Sequence, residues 1–250
     1  MSDLFDLSGK VALVTGGSRG LGQQMVKAFA ARGADVIIAS RKIESCEALA
    51  AEIEKETGQQ AMAHAVNVSH WDQMDDLAKA AYDRFGKVDI LVNNAGMSPL
   101  YEKITDVTEA LYDKVLDVNL KGPFRLSAVV GSRMAEDDGG SIINISSIAS
   151  HHPTADVIPY AAAKAGLNAM TQGYARAFGP NVRVNCIVCG AFRTDISKAW
   201  DIEAAEARAR NNFALQRIGE PNEVVGAALY FASNASAYTT GALLDVDGGR

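Results

Sequence analysis

Short runs of aliphatic and β-branched residues alternate along the chain with longer segments that show helical patterns. Seven of the runs predict strands, at residues 10–15, 34–40, 61–66, 88–93, 141–146, 182–188 and 242–246. These runs are apolar on both faces, as expected for strands that helices cover from both sides. Strands that alternate with helices are typical of βαβ units, so the pattern predicts an α/β fold with a parallel sheet.

Two of the predicted helices have recognisable ends. A helix over residues 21–32 should end at Gly33, because glycine readily adopts the conformation found just after a helix. Ser69 and Asp72 have the spacing of a capping box and predict the start of a helix over residues 70–84. No repeat or Pro/Gly-rich linker interrupts the pattern, which predicts one domain over residues 1–250.

Residues 190–219 break the alternation, since they contain helical stretches but no strand and follow the sixth predicted strand directly. Parallel sheets bind ligands beyond the carboxyl ends of their strands. We therefore predict that this segment covers a substrate. The alternative is a helical excursion that only packs on the fold.

Charge and composition exclude several classes of function. The net charge of -6 provides no basic surface for nucleic acid. The first residues lack the pattern of a secretory signal, and no apolar run is long enough to span a bilayer. Three cysteines cannot form a fully paired disulfide framework and fit a reducing compartment. We expect a cytoplasmic protein with neither nucleic-acid nor membrane partners.

Cys186 and Cys189 form a C-x-x-C sequence, which can be a redox or zinc motif. They fall in a predicted strand, where positions three apart point to opposite faces. No second pair and no nearby histidine is present to complete a zinc site. We interpret both as small packing residues and predict no metal site.

A glycine-rich turn, TGGSRGLG at residues 15–22, joins the first predicted strand to the first helix. Gly16, Gly20 and Gly22 allow the backbone to turn sharply and to approach a pyrophosphate. The following helix N-terminus supplies free N–H donors. In this strand–turn–helix context the motif predicts nucleotide binding.

The end of the second predicted strand indicates which dinucleotide is bound. An acidic residue there would bind the ribose hydroxyls of NAD, but the chain has Ser40 and Arg41 instead. Arg41 and Arg19 could together hold a 2′-phosphate, because guanidinium groups form charge-assisted, bidentate hydrogen bonds with phosphate. We predict NADP(H) rather than NAD(H); two solvated arginines are the alternative.

The stretch IPYAAAK places Tyr160 four residues before Lys164 with only alanines between them. On a helix this spacing puts both side chains on one face, with Cβ atoms roughly 5–6 Å apart. Taken alone, such a pair is typical of the exposed face of an amphipathic helix.

Seven motifs in order resemble those of the short-chain dehydrogenase/reductase family over essentially the whole chain. They are TGGSRGLG (15–22), NNAG (93–96), DVNLKG (117–122), NISS (144–147), YAAAK (160–164), VRVNCI (182–187) and DGG (247–249). The resemblance implies a Rossmann-type, doubly wound sheet of seven parallel strands with helices on both faces. It also implies an NADP(H)-dependent enzyme that transfers a hydride between the nicotinamide and a ketone or secondary alcohol.

The resemblance further implies a catalytic tetrad. Tyr160 would be the acid/base, and Lys164 would lower its pKa and hold the nicotinamide ribose. Ser147 would bind the substrate oxygen, and Asn119 would anchor a water in a proton relay. Ser146 competes with Ser147, which we prefer for its spacing of thirteen residues before the tyrosine. The roles make physical sense, because a free tyrosine has a pKa near 10 and a neighbouring cation favours the phenolate.

The cofactor contacts that the motifs imply are Gly16, Ser18, Arg19, Gly20, Leu21, Gly22, Ser40, Arg41, Asn67, Val68, Asn94, Ala95, Gly96, Tyr160, Lys164, Phe192 and Thr194. Two positions depart from the family pattern. Asn67 replaces an aspartate beside the adenine, and we expect its carbonyl oxygen to accept from the adenine amine. Cys189 replaces a proline before Gly190, so the following loop lacks a rigid φ.

The substrate pocket should be bounded by residues 97–103, 148–158 and 190–219. Its candidate side chains form a mixed apolar and polar set: His151, His152, Phe192 and Trp200. The histidines could contact the substrate, although solvent-facing loop positions are the favoured interpretation.

Two other functions remain open. Many relatives reduce 3-oxoacyl groups on an acidic carrier protein, but Glu136, Asp137 and Asp138 would repel such a partner. A 3-oxoacyl-(acyl-carrier-protein) reductase is thus the alternative function and not the favoured one. A dinucleotide-binding sensor without catalysis is disfavoured, because the chain keeps all four tetrad residues.

The family usually assembles through two long helices, which correspond here to residues 106–135 and 159–178. The second contains small residues that would permit close helix approach: Ala161, Ala162, Ala163, Ala165 and Ala169. The resemblance thus predicts a homotetramer.

Overall fold

The computed structural model describes residues 3–194 and 202–250, and all seven predicted strands are present within them. The observed bounds differ from the predicted ones by two residues at most. The strands are β1 (Val11–Thr15), β2 (Asp35–Ser40), β3 (Ala61–Ala65), β4 (Ile90–Asn93), β5 (Gly140–Ser147), β6 (Val182–Cys189) and β7 (Leu243–Val246).

The strands form one parallel sheet in the order β3-β2-β1-β4-β5-β6-β7. The chain runs outward from β1 to β3 and then returns to place β4 on the other side of β1. The strand order therefore reverses between β1 and β4, where ligands bind in doubly wound sheets. The predicted Rossmann-type fold is confirmed.

Helices connect the strands and cover both faces of the sheet. The α-helices in the described residues are α1 (Gly20–Ala31), α2 (Ile43–Thr57), α3 (Trp71–Phe85), α4 (Glu109–Leu116), α5 (Gly122–Glu136), α6 (Ile158–Ala177), α7 (Ile202–Asn212) and α8 (Val225–Ala232). In these parts of the chain no helix is both long enough and apolar enough to cross a membrane.

Two apolar cores lie on opposite faces of the sheet. Helices α1, α2 and α8 pack on one face, with Phe29 and Phe231 fully buried there. Helices α3, α5 and α6 pack on the other, around Leu77 and Leu126. Burial on both faces is complete for β1 and β4 but only partial for the edge strands β3 and β7, which have a neighbouring strand on one side only.

One predicted helix end is confirmed and one is wrong. Gly33 follows α1 with a φ of 94°, in the left-handed region that favours glycine. Helix α3, in contrast, is preceded by His70, and no side chain caps its first turn. Ser69 does not cap it because its hydroxyl donates to Asn67 Oδ1 at 2.9 Å.

The predicted helix over residues 106–135 is divided. Helix α4 begins after Thr108, whose hydroxyl accepts from the Leu111 backbone at 3.2 Å. A π-helical turn, Asp117–Lys121, then joins α4 to α5. Such turns insert one extra residue per hydrogen-bonded ring and often occur at functional sites.

The segment after β6 contains α7 and no strand, as predicted for the described part of residues 190–219. Phe192 forms an isolated bridge with Gly219, and a small apolar cluster joins Ala209 of α7 to Phe213 and Ile218. Residues 195–201, which include the predicted pocket residue Trp200, lie outside the described residues.

Candidate active site

Strand β5 and helix α6 bring together the three predicted residues Ser147, Tyr160 and Lys164. Ser147 ends β5, and Tyr160 and Lys164 lie in the first two turns of α6. Pro159 favours the helix start, since its ring presets a helical φ and its missing N–H would have no intrahelical partner there. The Ile158 backbone N–H donates to the Tyr101 hydroxyl at 2.9 Å, which ties this helix start to the 97–103 segment.

Lys164 is a buried cation beneath Tyr160. Its ammonium nitrogen donates to the Ile145 carbonyl at 2.8 Å and lies 5.7 Å from the centre of the Tyr160 ring. Burial lowers the pKa of Lys164 to about 8, because the charged form loses solvation.

Tyr160 shifts in the opposite direction. Burial raises the pKa of Tyr160 to about 12, while a hydrogen bond with the Ser147 side chain lowers it. The resemblance implied that Lys164 lowers the pKa of Tyr160; in the structure this pKa is raised instead, because burial disfavours the charged phenolate. Ser146 points away from the phenol, since its buried hydroxyl donates to the Lys164 carbonyl at 3.3 Å. Ser147, rather than Ser146, is therefore the serine that meets Tyr160.

Asn119 lies in the π-helical turn and is completely buried. Its amide Nδ2 donates to the carbonyls of Met97 at 2.8 Å and Val115 at 2.9 Å, and its Oδ1 accepts from the Met97 backbone at 3.3 Å. The side chain therefore braces the helix against the segment that follows β4. A Cβ on Gly96 would lie 3.0 Å from Asn119 Oδ1 and 3.6 Å from Lys164 Nζ, so Gly96 borders the same group.

The glycine-rich turn has the shape that a pyrophosphate requires. Gly16 and Gly20 have φ values of 62° and 54°, and a Cβ on Gly22 would lie 2.3 Å from the Gly16 carbonyl oxygen. Arg19, the residue before α1, has no side-chain oxygen that could cap the first turn. The N–H groups of that turn are available to an anion, so these residues fit a dinucleotide.

Asn94 and Thr15 hold this turn against β4. Asn94 Nδ2 donates to the carbonyls of Thr15 at 2.9 Å and Gly16 at 3.1 Å. The Thr15 hydroxyl accepts from the backbones of Asn94 at 3.1 Å and Ala95 at 3.2 Å. The side chain of Asn94 therefore shapes the cradle. Thr15 was not predicted, although a polar residue between a buried strand and a glycine run was the available signal.

Ser18 and Ser40 meet at the carboxyl end of β2. Their hydroxyl oxygens are 2.9 Å apart, and the Ser40 oxygen is 3.0 Å from the sulfur of Cys46, a contact that the sequence did not indicate. Arg19 and Arg41 are both exposed at this edge of the sheet.

Asn67 follows β3 and uses its carbonyl oxygen within the protein. Oδ1 accepts from the backbone of Ser69 at 3.3 Å and from its hydroxyl at 2.9 Å. The oxygen expected to accept from adenine is therefore already engaged. The next residue, Val68, packs its carbonyl against Gly122, where a Cβ would lie only 2.1 Å from that oxygen.

Phe192 and Thr194 follow β6, as predicted. Phe192 is buried with 6% of its surface exposed and belongs to the α1-side core. Thr194 approaches the glycine turn, since a Cβ on Gly20 would lie 3.7 Å from the Thr194 Cβ. The end of β6 and the turn after β1 thus border one cleft.

His151 and His152 are exposed, in agreement with the favoured interpretation. Asn168 was missed in the sequence: its Nδ2 donates to Ser150 Oγ at 2.8 Å and lies 3.3 Å from His151 Nε2. Ser150 in turn donates to the Ser147 carbonyl at 2.6 Å. Asn168 therefore ties the turn after Ser147 to α6.

Cys186 and Cys189 are buried free thiols on β6. Burial raises the pKa of both to about 12, which keeps them protonated. This environment agrees with their interpretation as packing residues.

An apolar cleft beside Tyr160 joins two of the predicted pocket segments to α4. Its lining residues are Pro99, Tyr101, Leu111, Val115, Val157, Pro159 and Tyr160. Residues 97–103 and 148–158 therefore meet next to the phenol.

Similarity to known proteins agrees with this geometry. Residues 16–250 match a family model described as enoyl-(acyl carrier protein) reductase. The chain is 35% identical over 245 residues to dehydrogenase/reductase SDR family member 4 of Bos taurus, covering 97% of this chain and 88% of that protein. It is 34% identical over 244 residues to the 3-oxoacyl-[acyl-carrier-protein] reductase FabG of Thermotoga maritima, covering 97% and 98%.

Among solved structures, the fold superposes on a 7α-hydroxysteroid dehydrogenase complexed with NADH and a 7-oxo bile acid, with a TM-score of 0.95. The two chains are 32% identical, and the match covers 100% of this chain and 97% of the other. The strand order, the glycine turn and the Ser147, Tyr160 and Lys164 group all occur here in one chain. The protein therefore belongs to the short-chain dehydrogenase/reductase family of oxidoreductases, which act on CH–OH and C=O groups.

Proposed function

We propose that this chain transfers a hydride between NADP(H) and a ketone or secondary alcohol. The observation that carries the proposal is the contact between Ser147 and Tyr160 above the buried Lys164 ammonium. The three residues lie at the same edge of the sheet as the glycine turn. A bound dinucleotide that spans the switch point can therefore reach both places.

A bound nicotinamide would supply or accept the hydride at the substrate carbon. Tyr160 moves the proton at the substrate oxygen, and its raised pKa keeps the phenol protonated at neutral pH, ready to act as an acid in reduction. Ser147 holds the same substrate oxygen through its hydroxyl. The backbone N–H of Ala149 donates to the Ser147 oxygen at 3.2 Å and so helps to orient it.

Lys164 has two roles in this proposal. Its charge favours the phenolate that forms when Tyr160 gives up its proton, an effect that grows when a ligand excludes water. Its remaining donors would hold the nicotinamide ribose. Asn119 positions the Met97 segment through two hydrogen bonds with the Met97 backbone, and its proposed role is to anchor a water in the proton relay.

NADP(H) is the proposed cofactor because no carboxylate stands at the end of β2. Ser40 there contacts Ser18, and the exposed Arg19 and Arg41 provide cations for a 2′-phosphate. The similar steroid dehydrogenase was solved with NADH, so likeness of fold does not decide between the two cofactors.

Residues 97–103, 148–158 and 190–219 are the proposed substrate boundary, and the last segment is its proposed cover within a single catalytic domain. The cleft beside Tyr160 is lined by apolar side chains, which favours an apolar group next to the reacting carbonyl.

A second candidate, 3-oxoacyl-(acyl-carrier-protein) reduction, is favoured by the similarity to the Thermotoga protein. It is opposed by three exposed acidic residues at the end of α5 and directly after it, Glu136, Asp137 and Asp138, which would repel an acidic carrier.

The test is consumption of NADPH against a panel of ketones that includes sugars, steroids, cyclic ketones and a 3-oxoacyl thioester. Turnover of a free ketone in preference to the carrier-bound thioester supports the main proposal, and the opposite ranking supports the second candidate. Tight NADPH binding without turnover of any member would favour a dinucleotide sensor.

We further propose a homotetramer in which α4, α5 and α6 meet their copies. Ala162, Ala165 and Ala169 are exposed on α6, so they provide a smooth face for helix approach. Ala161 and Ala163 face the core of their own chain, and the sequence-based expectation was wrong to include them.

A further inference from the structure

A chain of hydrogen bonds beside β3 determines which way the Asn67 amide points. Lys114 Nζ donates to Ser69 Oγ at 3.0 Å, and Ser69 Oγ lies 2.9 Å from Asn67 Oδ1. Because an ammonium group can only donate, the hydroxyl proton of Ser69 is directed to Asn67. The backbone N–H of Ser69, also a pure donor, faces the same atom at 3.3 Å. That atom must therefore be the amide oxygen.

The two donors from Ser69 occupy both lone pairs of the Asn67 oxygen, and the NH₂ half of the amide remains. Asn67 is partly exposed, and no acceptor for its Nδ2 lies among the residues that the structure describes. Its backbone N–H donates to Gln73 Oε1 at 2.8 Å, which fixes the residue against α3. Asn67 thus offers donors, and no free acceptor, to a ligand at this edge of the sheet.

The proposed dinucleotide places its base at this edge. Its nicotinamide end belongs beside Tyr160, on the β5 side of the switch point, and its pyrophosphate belongs at the start of α1. The adenosine end must then extend over β2 and β3. The Val66 backbone donates to the Ser40 carbonyl at 2.9 Å, so the segment that leads to Asn67 runs directly beside the proposed phosphate site.

We propose that the Asn67 amide donates a hydrogen bond to a ring nitrogen of the base, such as N1 of adenine. It does not accept a hydrogen bond from the exocyclic amine. This inference rests on the proposed function and corrects the expectation from the sequence. An aspartate at the same position would have the opposite polarity, since a carboxylate can only accept. Position 67 would therefore determine which edge of the purine is recognised.

The experiment is a titration of wild type, Asn67→Asp and Asn67→Ala with NADPH and with an NADPH analogue in which unsubstituted purine replaces adenine. The analogue lacks the 6-amino group but keeps N1. Wild type should bind both forms within about threefold, because its donor still finds N1. Asn67→Asp, which is isosteric and still accepts from Ser69, should prefer the adenine form by about tenfold or more, since a charged acceptor gains the amine.

The ratio of the two affinities within each variant tests whether position 67 contacts the 6-amino group, because contacts with the rest of the base cancel in it. The donor to N1 is tested by Asn67→Ala, which should bind both forms about three- to tenfold more weakly than wild type. Equal ratios in all three proteins, or an Asn67→Ala that binds both forms as tightly as wild type, would overturn the inference. It would also be overturned by a wild type that loses tenfold affinity for the analogue while Asn67→Ala loses none. If wild type binds neither NADPH nor NADH, the proposed function fails, and this inference fails with it.

Discussion

The ammonium nitrogen of Lys164 lies 5.7 Å from the centre of the Tyr160 ring. Tyr160 precedes Lys164 by one helical turn on α6. Replacing only the hydroxyl, in Tyr160→Phe, should reduce turnover by about a hundredfold or more, because no other group moves the proton. Binding of NADPH should change by less than about threefold, since the ring is retained. Steady-state kinetics with a ketone and a fluorescence titration measure the two effects.

Tyr238→Phe is the matched control for this change. It also removes a phenolic oxygen, but from a fully exposed side chain that is not among the proposed site residues. Its turnover should stay within about tenfold of wild type. A Tyr160→Phe enzyme that is as active as this control would refute the proposed role of Tyr160.

Lys164 makes the stability of the protein dependent on pH. Its folded pKa of about 8 lies below the unfolded value of 10.5, so the unfolded chain binds more protons between these values. The contribution of Lys164 to the free energy of unfolding is therefore lowest below pH 8 and rises with pH up to about 10.5. Relative to Lys164→Met, the free energy of unfolding of wild type should rise by about 1.5 kcal/mol from pH 8 to pH 9.5.

Urea unfolding of both proteins at several pH values measures this difference. The window ends below pH 10 so that Tyr160, whose pKa burial raises from 10 to about 12, stays mostly protonated in both the folded and the unfolded state. A difference that stays constant or changes in the other direction would show that Lys164 is not a buried, destabilised cation.

Cofactor preference should depend on the residues after β2. Ser40→Asp combined with Arg41→Ala places a carboxylate where the 2′-phosphate is proposed and removes one cation. The ratio of NADPH to NADH affinity should fall by about ten- to a hundredfold, the contribution of a charge-assisted hydrogen bond. Titration of both reduced cofactors at one salt concentration measures the ratio.

Lys42→Ala is the control for net charge, because Lys42 is an exposed cation in the same loop. It should leave the ratio nearly unchanged. A wild type that binds NADH as tightly as NADPH would show that the arginines serve another purpose.

A buried polar network links α6 to the centre of the sheet. Asn93 Nδ2 donates to Asn144 Oδ1 at 2.9 Å, and Asn144 Nδ2 donates to the Thr171 hydroxyl at 2.9 Å. Thr171→Val keeps the shape but leaves the Asn144 donor unsatisfied, which should cost about 1–3 kcal/mol in the free energy of unfolding. Thr154→Val, at an exposed position, should cost much less. Similar urea midpoints for the two variants would show that the network contributes nothing.

Assembly should depend on the exposed alanine face of α6. Ala165→Glu introduces a bulky charge at its centre and should convert the proposed tetramer into smaller species. Ala31→Glu, an exposed alanine on α1, should leave assembly unchanged. Light scattering at micromolar concentration distinguishes these outcomes, and a wild type that is monomeric there would contradict the proposal.

The elements of the fold could be predicted from the sequence alone, and the same patterns indicated the candidate residues of the site. Burial determines which residue types are favoured at each position. Strands buried on both faces therefore appear in the sequence as apolar runs, and helices with one apolar side appear as periodic patterns. Gly16 and Gly20 likewise indicate a tight turn from the local sequence, since a positive φ favours glycine. These patterns need no knowledge of distant partners.

Which side chains contact one another depends on how the elements pack. Strand alternation places Ser146 and Ser147 on opposite faces but does not say which face meets Tyr160; packing of α6 on β5 decides this. The capping role expected of Ser69 was lost because Lys114, distant in sequence, orders its hydroxyl toward Asn67. Hydrogen-bond partners depend on strand order and helix packing, and so the direction of the Asn67 amide could be read only from the folded chain.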